Sequence, residues 1–173
     1  MYSSVGGAET AKTLAAAAPG IATSTTASEQ VLATYTIQPN TLAVNGATIR
    51  IYFFAHTAAN SNNKRLLVRV GGVAGVIISD STTSAQNNMN LTTYGPIMIT
   101  RTGASTATVS GGIVHRGSDS STTPPTTLAG WTVRASSINW AIANDLVFTG
   151  TTPTAIGDLI LDSYTIELLT PPN

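Results

Sequence analysis

The chain has 173 residues, of which 42% are hydrophobic but only 9% charged, with eight basic and eight acidic side chains and no cysteine. That length suits one domain with a core of its own and room for a tail. The composition excludes a disulfide framework, a thiolate nucleophile and a cysteine-based zinc site, and cations clustered only at Lys64, Arg65 and Arg69 argue against nucleic acid gripped through its phosphates.

Charged residues usually make up about 25% of a globular domain. Here Thr, Ser and Asn supply most of the polar surface, and the formal net charge is zero. A protein with so little charge favours association. No run of about 18 apolar residues is present, so no membrane-spanning helix is expected.

Residues 1–28 are rich in Ala, Thr, Ser and Gly, with no alternation and few large side chains. Ala8 to Ala18 has the composition of a short helix stopped at Pro19-Gly20. Thr13 to Ala18 is too short and too weakly apolar to read as a signal peptide, and Lys12 before it is offset by Glu9. The segment reads as an N-terminal arm, extended or partly helical, that orders against a neighbouring subunit. Residues 29–173 then form the folded domain.

From Gln30 the pattern is β throughout. Val31 to Ile37 alternates and is ended by Pro39-Asn40, and Asn45-Gly46 supplies a tight turn. The strand Ala47–Thr57 follows. Ile49, Ile51, Phe53 and Ala55 fall on one face; Arg50, Tyr52, Phe54 and His56 fall on the other. A surface hairpin of a monomer needs one apolar face, and this strand has bulky side chains on both.

The polar loop Ala58–Asn63 separates that strand from Lys64–Val70, which Gly71-Gly72 closes. A hairpin symmetric about the loop pairs Phe53 with Val68, Ile51 with Val70 and Ala55 with Leu66. Its other face then pairs Tyr52 with Arg69, Phe54 with Leu67 and His56 with Arg65. Tyr52, Phe54, Leu67, Arg69 and Arg65 are therefore the candidate interface residues, a set rich in the types that interfaces favour.

Further strands are expected at Val73–Ser79, Ile97–Arg101 and Thr106–Arg116, the last with a bulge at Gly111-Gly112. A long loop runs through Ser118–Thr127, and Leu128–Ser136, Asp145–Thr151 and Asp158–Leu169 close the domain. Eight or nine strands with no helical pattern between them predict an all-β fold, an antiparallel jelly-roll-like β-sandwich.

The NTLAVNG opening of the first strand pair, its TAANSNNK loop and its VGG close, together with NDLVFTG and GDLILDSYTIELL near the end, resemble a family of small phage and prophage structural proteins. The resemblance spans about residues 30 to 170. It implies a jelly-roll-like sandwich that serves as a virion component on the capsid surface or on tail appendages, assembled in the host cytoplasm. It implies no catalytic residues. A capsid decoration (cement) protein is the leading reading, with the major capsid protein and further copies of itself as partners. The expected homotrimer rests on the resemblance and on no residue. Zero net charge suits the capsid exterior, because a genome-facing surface is expected to be basic. The alternative is a tail-fibre or head-fibre module that binds a host-surface glycan.

Catalytic constellations are poor. Asp158 and Asp162 lie four apart on one strand face, about 13 Å at strand rise, whereas a retaining glycosidase needs carboxyls about 5 Å apart. There is no G-x-S-x-G elbow. His56 and His115 each stand alone, with Asp119 the one acid close to either in sequence, a poor metal site. Asn90-Leu91-Thr92 matches a glycosylation sequon without a secretion signal. Trp131 and Trp140 read as core or interface anchors rather than sugar platforms. No enzyme activity, cofactor or metal is expected.

Overall fold

The computed structural model describes residues 10–24, 28–58, 60, 62, 64–81, 90–118, 128–129, 134–151 and 156–171. In chain order the strands are β1 (Thr10–Ala17), β2 (Ile21–Ala22), β3 (Gln30–Ile37), β4 (Thr48–Thr57), β5 (Arg65–Val70), β6 (Val76–Asp80) and β7 (Asn90–Tyr94). They continue as β8 (Ile97–Gly103), β9 (Thr106–Gly111), β10 (Ile113–Ser118), β11 (Leu128–Ala129), β12 (Arg134–Ser137), β13 (Asn144–Thr151) and β14 (Leu159–Thr170). No helix among these residues is long and apolar enough to cross a membrane.

The strands form an antiparallel β-sandwich with a ten-stranded and a four-stranded sheet. The smaller sheet runs β3-β13-β5-β6. In the larger, β4 is central. It pairs with β14 along its length on one side, and with β8 and then β7 on the other. The chain passes repeatedly from one sheet to the other, between β2 and β3, β3 and β4, β4 and β5, β6 and β7, β12 and β13, and β13 and β14, which gives the jelly-roll-like character.

The core lies between the sheets. Ile49, Ile51, Phe53 and Ala55 point inward as their alternation predicts, and meet Leu66, Val68, Val70, Leu146 and Phe148 from the smaller sheet. Phe148 stands edge-on to Phe53, with centroids 5.8 Å apart, and stacks on Tyr164 at 5.2 Å. Each such ring or branched side chain contributes about 1.5–3 kcal/mol through burial. Trp140 joins this core, as expected for an apolar anchor.

The expected hairpin is not formed. β4 belongs to the larger sheet and β5 to the smaller, where β5 pairs with β13 and β6. Phe53 and Val68 do both face inward, but from opposite layers rather than across one ladder. The reason lies in the connection: Asn60 and Asn62 turn to the buried Asp158 carboxylate, and β5 lies across the core from β4 instead of beside it. The pairs Tyr52–Arg69, Phe54–Leu67 and His56–Arg65 fall with the hairpin.

The helix expected at Ala8–Ala18 is also replaced, by a strand over the described part of that stretch. β1 pairs antiparallel with β14 from Thr10↔Thr170 to Ala17↔Tyr164, and β2 continues on the same edge. A short Ala-rich helix is marginal alone, whereas this strand satisfies the backbone edge that β14 would otherwise expose. Residues 10–22 therefore pair within their own subunit.

One long expected strand is interrupted. Thr106–Arg116 divides into β9 and β10 at Gly111-Gly112, opposite the break between β7 and β8 at Gly95-Pro96. Gly111 has φ +92°, and a Cβ there would lie 2.3 Å from the Pro96 carbonyl oxygen, so the bulge admits glycine alone. Leu128–Ser136 contributes β11 and β12, and residues 130–133 between them lie outside the described residues. Most of the Ser118–Thr127 loop lies outside the described residues, as do Asp119 and Trp131.

Candidate docking face

The outer face of the larger sheet is built on the residues of β4 that do not enter the core. Arg50, Tyr52, Phe54 and His56 succeed one another at two-residue intervals and share that face. β14 lies alongside, placing Glu167 opposite Arg50, Thr165 opposite Tyr52 and Ser163 opposite Phe54. Phe54 is 52% exposed and Tyr52 37%.

A basic side chain paired with an acidic one closes each end of this row. Arg50 Nε donates to Glu167 Oε2 at 2.8 Å, and its guanidinium carbon stands 5.3 Å from the centroid of the Tyr52 ring. His56 Nδ1 lies 2.8 and 2.9 Å from the two oxygens of Asp162. Asp162 is the extra residue of a β-bulge, since Leu161 pairs with Ala55 and Ser163 with Phe54. The bulge lets an acid that strand parity alone would misplace turn towards His56. The result is an aromatic centre with polar ends on a sheet surface.

Sequence reasoning found Tyr52 and Phe54 but not the acids. Their signal was weak: Glu167 needed the β4–β14 register, and Asp162 needed the bulge. His56 was read as lacking a nearby carboxylate, which the Asp162 contact corrects. Asp158 and Asp162, considered as a catalytic pair, sit in separate hydrogen-bond networks.

Leu67, Arg65 and Arg69 do not join this face. They lie on the outer side of the smaller sheet, across the sandwich from Phe54. Leu67 is 1% exposed, so it cannot meet another subunit. Arg65 and Arg69 bracket it along β5, and Asp80 lies directly across from it on β6. Arg65 binds Asp80 through Nε at 2.9 Å and Nη2 at 2.5 Å, and Arg69 binds Glu29 through Nε and Nη2, both at 2.8 Å. Glu29 also accepts a hydrogen bond from the Thr149 hydroxyl. Long arginine stems can cover apolar surface while their heads stay polar, a role that the flanking positions of Arg65 and Arg69 on β5 would allow at Leu67.

The Arg69 guanidinium, through its hydrogen bonds, holds the Glu29 carboxyl below the usual carboxylate range, against an opposing effect of burial. The cations that cluster in the sequence are thus engaged within the molecule. Lys64 is buried too, at 9% exposure, and burial pushes its ammonium pKa down while the Asp158 charge opposes the shift.

The Asn-rich crossover is a hydrogen-bonded structure in its own right. Asp158 is 2% exposed and accepts from Asn60 Nδ2 and Asn62 Nδ2, each at 2.6 Å. Lys64 Nζ donates to the Asn60 carbonyl oxygen at 2.9 Å and to Asn60 Oδ1 at 2.7 Å. The described asparagines of this loop are turned inward to the carboxylate rather than presented outward. Among the described residues, no group of three or more His, Cys, Asp or Glu side chains is placed to hold a metal ion.

No protein-family model matches the chain. No curated protein matches it either. Among solved structures, it is similar to the CBM2 module of the Lactobacillus casei BL23 phage J-1 evolved Dit, at 13% identity and a TM-score of 0.40, over 88% of this chain and 77% of that one. At that level of similarity nothing about ligand, partner or role passes from that protein to this chain.

Proposed function

We propose that the protein is a non-catalytic structural component of a bacteriophage virion, a capsid decoration protein that docks on the outer lattice through the Tyr52–Phe54 face. The observation that carries the reading is the exposure of two aromatic rings, side by side on a sheet surface whose opposite side already fills the core. Buried aromatic anchors dominate association energies, and each is worth about 2 kcal/mol or more at the centre of an interface. The likeness of the strand segments to phage structural proteins supplies the partner, the major capsid protein, and the copies of itself expected in a homotrimer. The scarcity of charge supports the same reading, since such a surface is released from water cheaply.

Binding to empty capsids tests it. The intact chain is expected to co-sediment with capsids, and Phe54→Ser to lose binding while keeping the wild-type fold by circular dichroism. Retention of binding by a Tyr52→Ser/Phe54→Ser double variant would remove the face from the mechanism.

A host glycan is the second reading, favoured by one observation: the rings are flanked by the Arg50–Glu167 and His56–Asp162 pairs, which offer polar groups beside stacking surfaces. A specific glycan-array signal abolished by Phe54→Ser, without capsid binding, would select it.

A further inference from the structure

The Asn60–Lys64 crossover holds more chemistry than a loop needs. Three elements of an acyl-transfer site converge on the Asn60 carboxamide, and a fourth contact fixes one of them. Lys64 Nζ, a buried amine, is 2.7 Å from Oδ1. The amide carbon, one C=O bond of about 1.2 Å beyond that oxygen, lies about 3–4 Å from the amine, within a short displacement of attack distance. The Asn62 backbone N–H donates to the same Oδ1 at 3.0 Å, where it can stabilise developing negative charge. Asp158 Oδ1 holds the amide nitrogen at 2.6 Å, and Asn62 Nδ2 fixes the other carboxylate oxygen at 2.6 Å.

We infer that this cluster is an autocatalytic cross-linking site, in which Lys64 and Asn60 join through an isopeptide bond with Asp158 as the proton carrier. The Lys64 amine, after losing a proton to water, attacks Cγ of Asn60. The Nζ–Cγ bond forms as the carbonyl electron pair moves onto Oδ1, facing the Asn62 N–H. The pair then returns, the Cγ–Nδ2 bond breaks, and Nδ2 leaves as ammonia with the proton that Nζ gives up, carried by Asp158. An amine and a primary amide give a secondary amide and ammonia. Nothing is oxidised or reduced and no co-reactant is consumed.

Several features favour the step. Proximity converts a bimolecular aminolysis into an intramolecular one, the largest rate gain available to such a reaction. Burial of Lys64 favours the neutral, nucleophilic amine. A structural role accounts for each contact singly, the Nζ bonds as a lysine capping loop carbonyls, the Asn62 N–H bond as an Asx-turn and the Asn60 amide as a donor to a buried carboxylate. What sets the site apart is that amine, N–H donor and carboxylate meet on one amide. The bond would close a ring in the segment that carries the chain from one sheet to the other. It is independent of what the Tyr52–Phe54 face binds.

Intact mass spectrometry of the folded full-length protein, run under denaturing conditions, tests this. The wild-type chain is expected to weigh one ammonia less than its sequence, with trypsin no longer cleaving after Lys64 and fragmentation placing a ring between residues 60 and 64. Lys64→Arg and Asp158→Ala are expected at full sequence mass. A wild-type chain at full mass after prolonged incubation would overturn the inference. So would an ammonia loss that persists in Lys64→Arg, because that marks a succinimide at an asparagine. If Asp158→Ala fails to fold, the Lys64→Arg mass and the wild-type fragmentation decide the matter alone.

Discussion

Phe53 and Phe54 are neighbours on β4, and the two-residue period of the strand sends one ring into the core and the other to the surface. Their substitutions should separate stability from docking. Phe53→Ala is expected to cost about 3–5 kcal/mol in denaturant unfolding, whereas Phe54→Ala should change stability by less than about 0.5 kcal/mol and act on capsid binding instead. Leu67→Ala belongs with the first: its burial predicts a loss of about 2–5 kcal/mol, and a neutral result would mean that Arg65 and Arg69 do not cover it. Glu29 makes a prediction in pH. Its folded pKa is held below the ordinary 4.5 by Arg69, so the stabilisation is fully present above that value and is lost as pH falls through the lower folded one. Glu29→Gln should therefore be less stable at neutral pH and lose less on acidification. An unchanged acid limb in the variant would show that the pair contributes nothing. At this level the inward parity of β4 was legible from alternation alone. The burial of Leu67 was not, because alternation places it on an outer face and does not show what covers that face.

Strand existence was legible for much the same reason as strand parity, and strand partnership was not. The segments 30–37, 48–57, 65–70 and 144–151 fall close to where alternation and turn residues put them. A polar loop between two apolar strands reads as a hairpin unless something inside the molecule needs that loop, and here Asp158, some hundred residues away, takes Asn60 and Asn62. The N-terminal segment fails in the same way: its Ala content speaks for a helix, and only the open edge of β14 makes it a strand. That pairing predicts the effect of truncation. Removal of residues 1–17 should lower the melting temperature measured by calorimetry, because β14 loses its outer partner and Leu14 and Ala15 no longer pack against the core. A truncated chain that melts with the wild type would mean that β1 adds no net stability.

The whole molecule is a sandwich whose two outer surfaces differ in kind. The smaller sheet places the Arg65–Asp80 and Arg69–Glu29 pairs beside buried Leu67, Val147 and Thr149 and leaves Val31 exposed on β3. The larger sheet leaves Tyr52 and Phe54 exposed between the Arg50–Glu167 and His56–Asp162 pairs. One surface carries ion pairs over much of its area, and the other presents two exposed aromatic rings. A second aromatic face on one strand was visible in the sequence, but the interface patch drawn from it mixed both surfaces, because the assumed hairpin laid β5 beside β4. The decisive measurement is a reconstruction of the intact phage particle at side-chain resolution. Tyr52 and Phe54 are predicted to lie against the major capsid protein, with Arg65 and Arg69 turned away from it. Both rings facing solvent, or packed on a tail or fibre protein, would contradict the capsid assignment.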